Sequence, residues 1–252
     1  MKFWKIKAIK AGTIKTTIGD TIRYKSLDVP LEINSWFVAA YDGEHKVLID
    51  TGIDGSSIEY IRNNIIETVY QDKMQQPVLA LKRETDWSAE DVDIIINTHL
   101  HYDHCGCNKY FKNAEIYIQR KEFESAFHPV KAHESIYAQR FFDKNSISYF
   151  RWNFLDGEKE ILPGLICLPT PGHTYGHQSV LILTEKGTVC VAGDAVPTVK
   201  NINENLETGV SVDSSKVIES MESIRIRTDY IITGHEPNIK ENSFTSFFKI
   251  SD

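Results

Sequence analysis

Residues 99–104, His-Leu-His-Tyr-Asp-His, form the part of this sequence with the greatest capacity for chemistry. Four side chains of metal-binding type, those of His99, His101, Asp103 and His104, fall within six positions directly after an apolar stretch. Imidazole nitrogens and carboxylate oxygens suit zinc, iron or manganese, and the high share of histidine favours zinc or iron. A solvated polar loop is the alternative, but it does not explain the position directly after an apolar strand. We therefore predict a metal site here.

Three single residues further along the chain stand in similar settings. His173, Asp194 and His235 each follow an apolar stretch and a glycine. Taken alone, each has an ordinary explanation as a turn histidine, a turn cap or a surface residue. Together with residues 99–104 they raise the number of potential ligands to seven. Seven ligands are enough for two metal ions if a carboxylate and a water molecule are shared.

The elements that must position these residues are predicted to be strands interrupted by helices. The predicted strands cover residues 3–11, 35–41, 46–50, 92–98, 115–119, 165–168, 179–183, 189–192 and 230–233, and the main helices 56–68, 121–127 and 214–226. Several strands end in polar clusters, as at Asp50, His99, Asp194 and His235. Strand ends that converge at one sheet edge are where α/β folds place their sites. We therefore expect the candidate ligands to meet at such an edge.

Composition limits the class of protein. The chain has 252 residues, of which 41% are hydrophobic and 25% charged, which is typical of a globular protein with a sizeable core. No repeat or linker composition is visible, so we expect one domain over residues 1–252. A net charge of −7 argues against a nucleic-acid partner. The absence of a long apolar run and of a secretory signal predicts no membrane partner and a cytoplasmic location with free thiols.

The order His-x-His-x-Asp-His, then a later His, Gly-Asp and Gly-His, resembles the metallo-β-lactamase superfamily. Within it, residues 49–52, 98–108, 118–122, 170–179 and 194–195 resemble the N-acyl homoserine lactonase family, and the likeness extends from about Val38 to Pro237. The resemblance implies an α/β (α+β) fold: a four-layer αββα sandwich of two mixed β-sheets flanked by helices. It also implies a dinuclear-metal hydrolase that opens a lactone or related ester by attack of a metal-bridging hydroxide, with N-acyl homoserine lactones (quorum quenching) as one substrate class.

The resemblance also assigns roles to the candidate residues. It implies that His99, His101 and His173 hold one metal ion, that Asp103, His104 and His235 hold the other, and that Asp194 bridges the two. The expected cofactors are two divalent ions, foremost zinc, with iron or manganese as alternatives.

Three further roles are expected around these ligands. Asp103 is predicted to be catalytic, accepting a proton from the nucleophile and passing it to the leaving oxygen. Asp50 is expected to orient ligands from the second shell. His177, in the same loop as His173, is expected to have a structural hydrogen-bonding role.

The chain departs from the lactonase family at Pro197. A tyrosine stands at this position, three residues after the bridging aspartate, in characterised lactonases and helps to bind the substrate carbonyl. Proline has no donor to replace it, so Tyr102 and Tyr175 become the candidates for substrate binding. Cys105 and Cys107 stand where small residues are usual, and they are interpreted as packing residues, with metal ligation or oxidation as the alternative.

Two other groups of residues complete the predictions. The aromatic residues between Phe141 and Phe154 form either a wall of the substrate pocket or ordinary core. His45, His128 and His133 are expected at the surface.

The alternatives to a lactonase are a thioesterase of the glyoxalase II type, a redox-active di-iron member of the superfamily, and a non-catalytic metal-binding protein. The expected partner is a small-molecule substrate, and a homodimer is the one assembly considered, with the oligomeric state left open.

Overall fold

Two mixed β-sheets form the body of the protein. The computed structural model describes residues 2–64, 68–143, 147–237 and 248–249. The first sheet contains β1 (Lys5–Thr17), β2 (Pro30–Tyr41), β3 (Lys46–Ile49), β4 (Thr68–Tyr70), β5 (Ile94–Ile96), β6 (Glu115–Gln119) and β7 (Arg151–Leu155). Their order is β4-β1-β2-β3-β5-β6-β7. The pairs formed by β1, β2, β3 and β4 are antiparallel, whereas β3, β5, β6 and β7 run parallel to one another.

The second sheet is built from the later part of the chain. It contains β8 (Lys159–Leu162), β9 (Leu165–Pro169), β10 (Gln178–Thr184), β11 (Gly187–Gly193), β12 (Tyr230–Thr233) and β13 (Phe248–Lys249). Their order is β13-β12-β11-β10-β9-β8, and only β11 and β12 pair in parallel among these described strands.

Helices flank the two sheets, on their outer faces and at their ends. They are α1 (Ile18–Thr21), α2 (Ile58–Asn64), α3 (Pro77–Thr85), α4 (Tyr102–Cys105), α5 (Arg120–Ala126), α6 (Val199–Glu204) and α7 (Ser214–Arg225). In α7, Val217, Met221 and Ile224 recur at three- to four-residue spacing and pack against the outer face of the second sheet. No helix within the described ranges is both long enough and apolar enough to cross a bilayer.

The main core lies between the two sheets, and it explains why β5 is a run of isoleucines. Ile94 and Ile96 face the core shared with Val180 and Val191 of the second sheet, whereas Ile95 points to the other face. A parallel strand that is buried on both faces requires this continuous apolar sequence. The arrangement confirms the predicted αββα sandwich of two mixed sheets flanked by helices.

Some predicted boundaries were wrong. The predicted strand 3–11 begins at Lys5 and continues to Thr17, because it pairs with β2 along its whole length. The helix predicted for 56–68 is shorter: α2 ends at Asn64, residues 65–67 lie outside the described residues, and Thr68 begins β4. Of the predicted strand 92–98, only Ile94–Ile96 pair with neighbouring strands, as β5. Residues 97–98 lead out of the sheet toward the histidines.

Candidate metal centre

The seven predicted ligands meet at one edge of the sandwich, where strands of both sheets end. His99 follows β5, and Asp103 and His104 lie in the single turn of α4. His173, Asp194 and His235 follow β9, β11 and β12 of the second sheet. All seven residues are at most 7% exposed. The edge therefore brings together residues that are up to 136 positions apart in the chain.

Three histidines form the first group of ligands, here called the histidine-rich group: His99, His101 and His173. Nε2 of His99 lies 2.9 Å from Nδ1 of His101, and Nε2 of His173 lies 3.1 Å from the same Nδ1 atom. Together with Asp194, these residues offer four ligand atoms that all lie within 4.8 Å of one another.

Two histidines and a carboxylate form the second group, here called the acid-rich group: Asp103, His104 and His235. Oδ2 of Asp103 lies 3.6 Å from Nε2 of His104 and 3.5 Å from Nε2 of His235. The three ligand atoms of this group also lie within 4.8 Å of one another.

Asp194 connects the two groups. Its Oδ2 atom lies 3.4 Å from Nε2 of His173 and 3.1 Å from Nε2 of His235, while its Oδ1 atom lies 3.2 Å from Nε2 of His104. Its position follows from Gly193, whose φ of +53° turns the chain at the end of β11. A Cβ atom at Gly193 would lie only 2.7 Å from Nε2 of His177, so a larger residue does not fit there.

The unpaired polar atoms in this centre fit metal ions. Oδ1 of Asp194 and Nε2 of His104 are buried, and neither has a hydrogen-bond partner in the described part of the chain, although they lie close together. Buried polar atoms without a partner are costly and rare in native proteins. Five imidazoles and two carboxylates that converge on one small volume, with Oδ1 of Asp194 and Nε2 of His104 left unpaired there, form the donor set that metal ions of the zinc type require.

Asp50 contacts His104 of the acid-rich group at the ring nitrogen that faces away from the other ligands. Its Oδ1 atom accepts a hydrogen bond from the Thr98 amide at 2.7 Å, and its Oδ2 atom accepts one from the Thr98 hydroxyl at 2.8 Å. The same Oδ2 atom lies 2.8 Å from Nδ1 of His104. Asp50 adopts a left-handed φ of 59°, an uncommon conformation for a residue other than glycine that is often found at functional sites. These contacts are those of a residue that orients a metal ligand.

His177 contacts the backbone of Asp194 rather than either group of ligands. Its Nε2 atom accepts a hydrogen bond from the Asp194 amide at 3.0 Å, and its Nδ1 atom lies 2.9 Å from the Thr170 hydroxyl. Both nitrogens are therefore occupied, which fits the structural role expected of this residue.

Glu122 links the loops of the histidine-rich group, and sequence reasoning gave it no role. Its carboxylate accepts hydrogen bonds from the Leu100 amide, the Tyr137 hydroxyl, the Thr174 hydroxyl and the Gly176 amide at 2.6–3.2 Å. Leu100 lies between His99 and His101, and Thr174 follows His173. Burial raises the pKa of Glu122, and the four donors oppose that shift. The only signal in the sequence was its place in the segment that resembles the lactonase family.

The two groups of ligands differ in the pKa of their histidines. Burial, and then neighbouring imidazoles, lower the pKa of His99 and His101 well below the usual histidine value. In the acid-rich group burial acts in the same direction, but nearby carboxylates outweigh it. They raise the pKa of His104 well above its usual value and that of His235 to about 9. The same histidines hold the pKa of Asp194 well below its usual range, although burial opposes this.

Comparison with known proteins places this centre in a family. The family model described as "Metallo-beta-lactamase superfamily" matches residues 28–235. The chain belongs to this superfamily. It is 31% identical to an N-acyl homoserine lactonase from Bacillus sp. over 205 residues, 79% of this chain and 76% of that protein. It is 36% identical to a probable metallo-hydrolase from Methanocaldococcus jannaschii over 172 residues, 68% of this chain and 70% of that protein.

A solved structure agrees with this placement. A quorum-quenching N-acyl homoserine lactone lactonase superposes with a TM-score of 0.81 at 26% identity, covering 98% of this chain and 99% of that one. The superfamily and its dinuclear site agree with the two groups of ligands joined by Asp194. The predicted class of enzyme, a metal-dependent hydrolase that acts on ester bonds, is confirmed.

A cleft opens onto the candidate metal ligands of this chain. It is lined on one side by His101, Asp103, His173, Asp194 and His235. Its other walls come from both halves of the chain: Ile14, Thr16, Asp20, Thr21, Ile33, Tyr102, Ile136, Pro197, Thr208 and Val210. Pro197 therefore lies where a substrate would meet the metals.

The two candidate substrate-binding tyrosines have different positions. Tyr102 lines this cleft, with its ring 1% exposed. Tyr175 does not: it is 39% exposed and lies in a separate surface cleft beside Lys121 and Pro171. Tyr175 therefore lies outside the cleft that the candidate ligands line, because the loop after β9 turns His173 inward and Tyr175 outward.

The cysteines and the aromatic segment are packing residues. Sγ of Cys105 points to the Leu100 carbonyl and Sγ of Cys107 to the Ile53 carbonyl, and neither belongs to a group of ligands. Burial raises the pKa of both thiols well above the usual value. Phe141 and Phe142 lie in the core beside α2 and α5, and none of the described residues of 141–154 lines the metal cleft.

His133 was wrongly expected at the surface. It is 1% exposed, and its ring centroid lies 5.3 Å from that of His101 and 5.9 Å from that of His173. Burial, and then the nearby His173, lower the pKa of His133 to about 4. His128 is exposed, as expected, and His45, also expected at the surface, is half-buried. The polar sequence around residue 133 concealed its place at the metal centre.

Proposed function

We propose that this protein uses two divalent metal ions to hydrolyse a lactone or a related ester, with N-acyl homoserine lactones as the first substrates to test. The observation that carries the proposal is the position of Asp194, whose two oxygens lie within 3.4 Å of ligands from both groups. One carboxylate that reaches both groups is the feature expected of a dinuclear site. The names of the lactonase relatives support the choice of substrate.

The proposed ligand set assigns one ion to each group. His99, His101 and His173 would hold one ion, Asp103, His104 and His235 the other, and Asp194 both. Zinc is the proposed metal because imidazole dominates the ligand set, with iron or manganese as alternatives for metal analysis. The four free cysteines are compatible with the reducing cytoplasm that we propose as the location.

The chemistry divides between the metals and the side chains. Two bound divalent ions would acidify a shared water molecule and polarise the ester carbonyl. Asp103 lies at the mouth of the centre, where its carboxylate lines the cleft and contacts His104 and His235 through one oxygen. We propose that Asp103 accepts the proton of the attacking nucleophile and delivers it to the leaving oxygen.

The cleft supports an acylated substrate. Ile14, Ile33, Ile136 and Val210 provide apolar walls, which suit an acyl chain. Four hydroxyl-bearing residues also line it, Thr16, Thr21, Thr208 and Tyr102, whereas Pro197 offers no donor. Of these, Tyr102 is the proposed contact for the substrate's polar group, since it directly precedes Asp103 in the ligand segment.

A metal analysis followed by a substrate panel tests the proposal. We expect two metal ions per chain and hydrolysis of lactones that chelation abolishes and metal restores. The panel includes thioesters and aryl esters. Faster turnover of thioesters than of lactones would indicate an enzyme of the glyoxalase II type, and one metal with oxygen uptake would indicate redox chemistry. Full activity of Asp103→Asn with both metals bound would contradict the role of Asp103.

A further inference from the structure

The orientation of each ligand histidine determines which ring nitrogen carries its proton. His101 turns Nδ1 toward the other ligands, whereas His99 and His173 turn Nε2 toward them. His104 and His235 likewise turn Nε2 inward. Only an unprotonated nitrogen binds a metal ion. In the metal-loaded protein the proton must therefore lie on Nε2 of His101 and on Nδ1 of the other four.

The other four histidines each have an acceptor for this proton. Two acceptors are side chains: Nδ1 of His99 lies 3.0 Å from the Thr98 hydroxyl, and Nδ1 of His104 lies 2.8 Å from Asp50. Two are backbone carbonyls: Nδ1 of His173 donates to Val210 at 2.7 Å, and Nδ1 of His235 to Asn34 at 2.8 Å. Such partners fix the tautomer and the ring direction of a metal ligand.

His101 differs because its Nε2 atom is buried and has no hydrogen-bond partner in the described ranges. The neighbouring His133 also has a buried Nδ1 atom without a partner. The two ring centroids lie 5.3 Å apart at an interplanar angle of 62°. Two adjacent imidazoles, one with an unpaired donor and the other with an unpaired nitrogen, are chemically complementary.

The backbone keeps His133 close to His101. The His133 carbonyl accepts hydrogen bonds from the amides of Ile136 and Tyr137, and the Ile136 carbonyl accepts one from the Tyr102 amide at 3.1 Å. Tyr102 directly follows His101, so the segment that carries His133 is fastened to the segment that carries the ligand.

We propose that His133 is a positioning residue for the metal centre: its Nδ1 atom accepts the Nε2 proton of His101, directly or across one water molecule. This contact keeps Nδ1 of His101 unprotonated and aimed at the ion of the histidine-rich group. His133 itself is not a ligand, because it belongs to neither group of converging atoms. The inference rests on the proposed assignment of His101 as a ligand.

Replacement of His133 by leucine and by asparagine tests this contact. Leucine removes the acceptor, whereas Oδ1 of asparagine occupies the position of Nδ1. We expect His133→Leu to bind one of its two metal ions about 10- to 100-fold more weakly, the usual effect of losing such a partner. We expect His133→Asn to bind both ions nearly as tightly as the wild type. Metal affinity is measured by competition with a chromogenic chelator.

Two further measurements separate positioning from folding. The unfolding temperature of His133→Leu in excess chelator should stay close to that of the wild type, because without metal the His101 proton can lie on Nδ1, 2.9 Å from Nε2 of His99, and needs no partner at residue 133. In zinc-loaded protein, the slowly exchanging Nε2 proton of His101 should give an imidazole NMR signal that His133→Leu loses. His128→Leu is the matched control, since His128 is exposed and lies five residues away.

The proposal is overturned if His133→Leu retains wild-type affinity for both ions. It is also overturned if leucine and asparagine weaken metal binding equally. Failure of the wild type to bind two metals would instead contradict the proposed function.

Discussion

The histidine-rich and acid-rich groups lie side by side, but their surroundings differ. Nearby imidazoles and burial keep His99 and His101 neutral, whereas Asp50, Asp103 and Asp194 favour the protonated forms of His104 and His235. The histidine-rich group is therefore ready to bind a cation at neutral pH, but the acid-rich group must first release protons. The difference teaches that two adjacent sites in one centre can differ in pH dependence because different charges surround their histidines.

Asp194 is the residue through which the two groups depend on each other. Asp194→Asn removes a negative charge that contacts His104, His173 and His235. We expect a loss of kcat/KM on the order of 1000-fold, with metal content below two ions per chain. Assay and metal analysis of the same samples measure both effects. Asp156→Asn, at an exposed aspartate, is the control; full activity of Asp194→Asn would mean that the groups act separately.

The Asp50→Asn variant tests whether metal binding by the acid-rich group can be weakened without weakening metal binding by the histidine-rich group. Asp50→Asn removes the charge that holds Nδ1 of His104, so we expect about 10- to 100-fold weaker binding of one metal ion and little change for the other. Stepwise metal titration resolves the two ions. If Asp50→Asn binds both metal ions equally more weakly, the two groups of ligands do not bind their ions independently.

Glu122 provides the corresponding test for the histidine-rich group. Glu122→Gln replaces an acceptor of four hydrogen bonds by an amide that presents its own donors to some of them. We expect a decrease of about 2 to 3 kcal/mol in the free energy of unfolding, or about 5 to 10 °C in the unfolding temperature. Thermal unfolding of the metal-loaded protein measures this, with the exposed Glu124→Gln as control. An unchanged unfolding temperature would show that the network is dispensable.

Proton release should distinguish the two groups directly. Because the pKa of His104 and that of His235 are raised in the metal-free protein, metal binding to the acid-rich group should release more protons at pH 7 than binding to the histidine-rich group. Calorimetric titration in buffers of different ionisation enthalpy counts these protons. Equal proton release in both binding steps would refute the electrostatic comparison.

The same shifts predict how the stability of the metal-free protein depends on pH. Because folding raises the pKa of His104 and that of His235, their contribution is complete below pH 6.5 and is lost as the pH rises through the raised values, which is about 9 for His235. The unfolding temperature in excess chelator should therefore fall over this range. His235→Asn should make the unfolding temperature depend less steeply on pH. If the dependence is equally steep in that variant, other residues cause the effect.

The cysteines next to α4 should have the smallest effect. The thiols of Cys105 and Cys107 are protonated and point to backbone carbonyls, away from both groups. Cys105→Ala and Cys107→Ala should each retain two metal ions and lose about 1 kcal/mol of stability or slightly more through packing. Loss of a metal ion from either variant would restore the ligation hypothesis.

The sequence predicted the parts of this protein that depend on local pattern. The four ligand-type residues at 99–104 and the strands that precede the other three were visible in residue types and spacing, whereas the two-sheet architecture was implied only by the resemblance to the superfamily. Element ends were less predictable: β1 continues to Thr17 because it pairs with β2, and Thr68, predicted to be helical, begins β4 because it pairs with Lys15 of β1.

The orientation of side chains was decided only by the tertiary structure. Tyr175 and His133 both lie in polar sequence, yet the packing of the two sheets turns Tyr175 outward and buries His133 against His101. The four partners of Glu122 come from three separate segments of the chain. Residue type and spacing determine which atoms can bind a metal or donate a proton. Which of them are buried, and what they face, depends on contacts between segments that are distant in sequence, and no local pattern encodes those contacts.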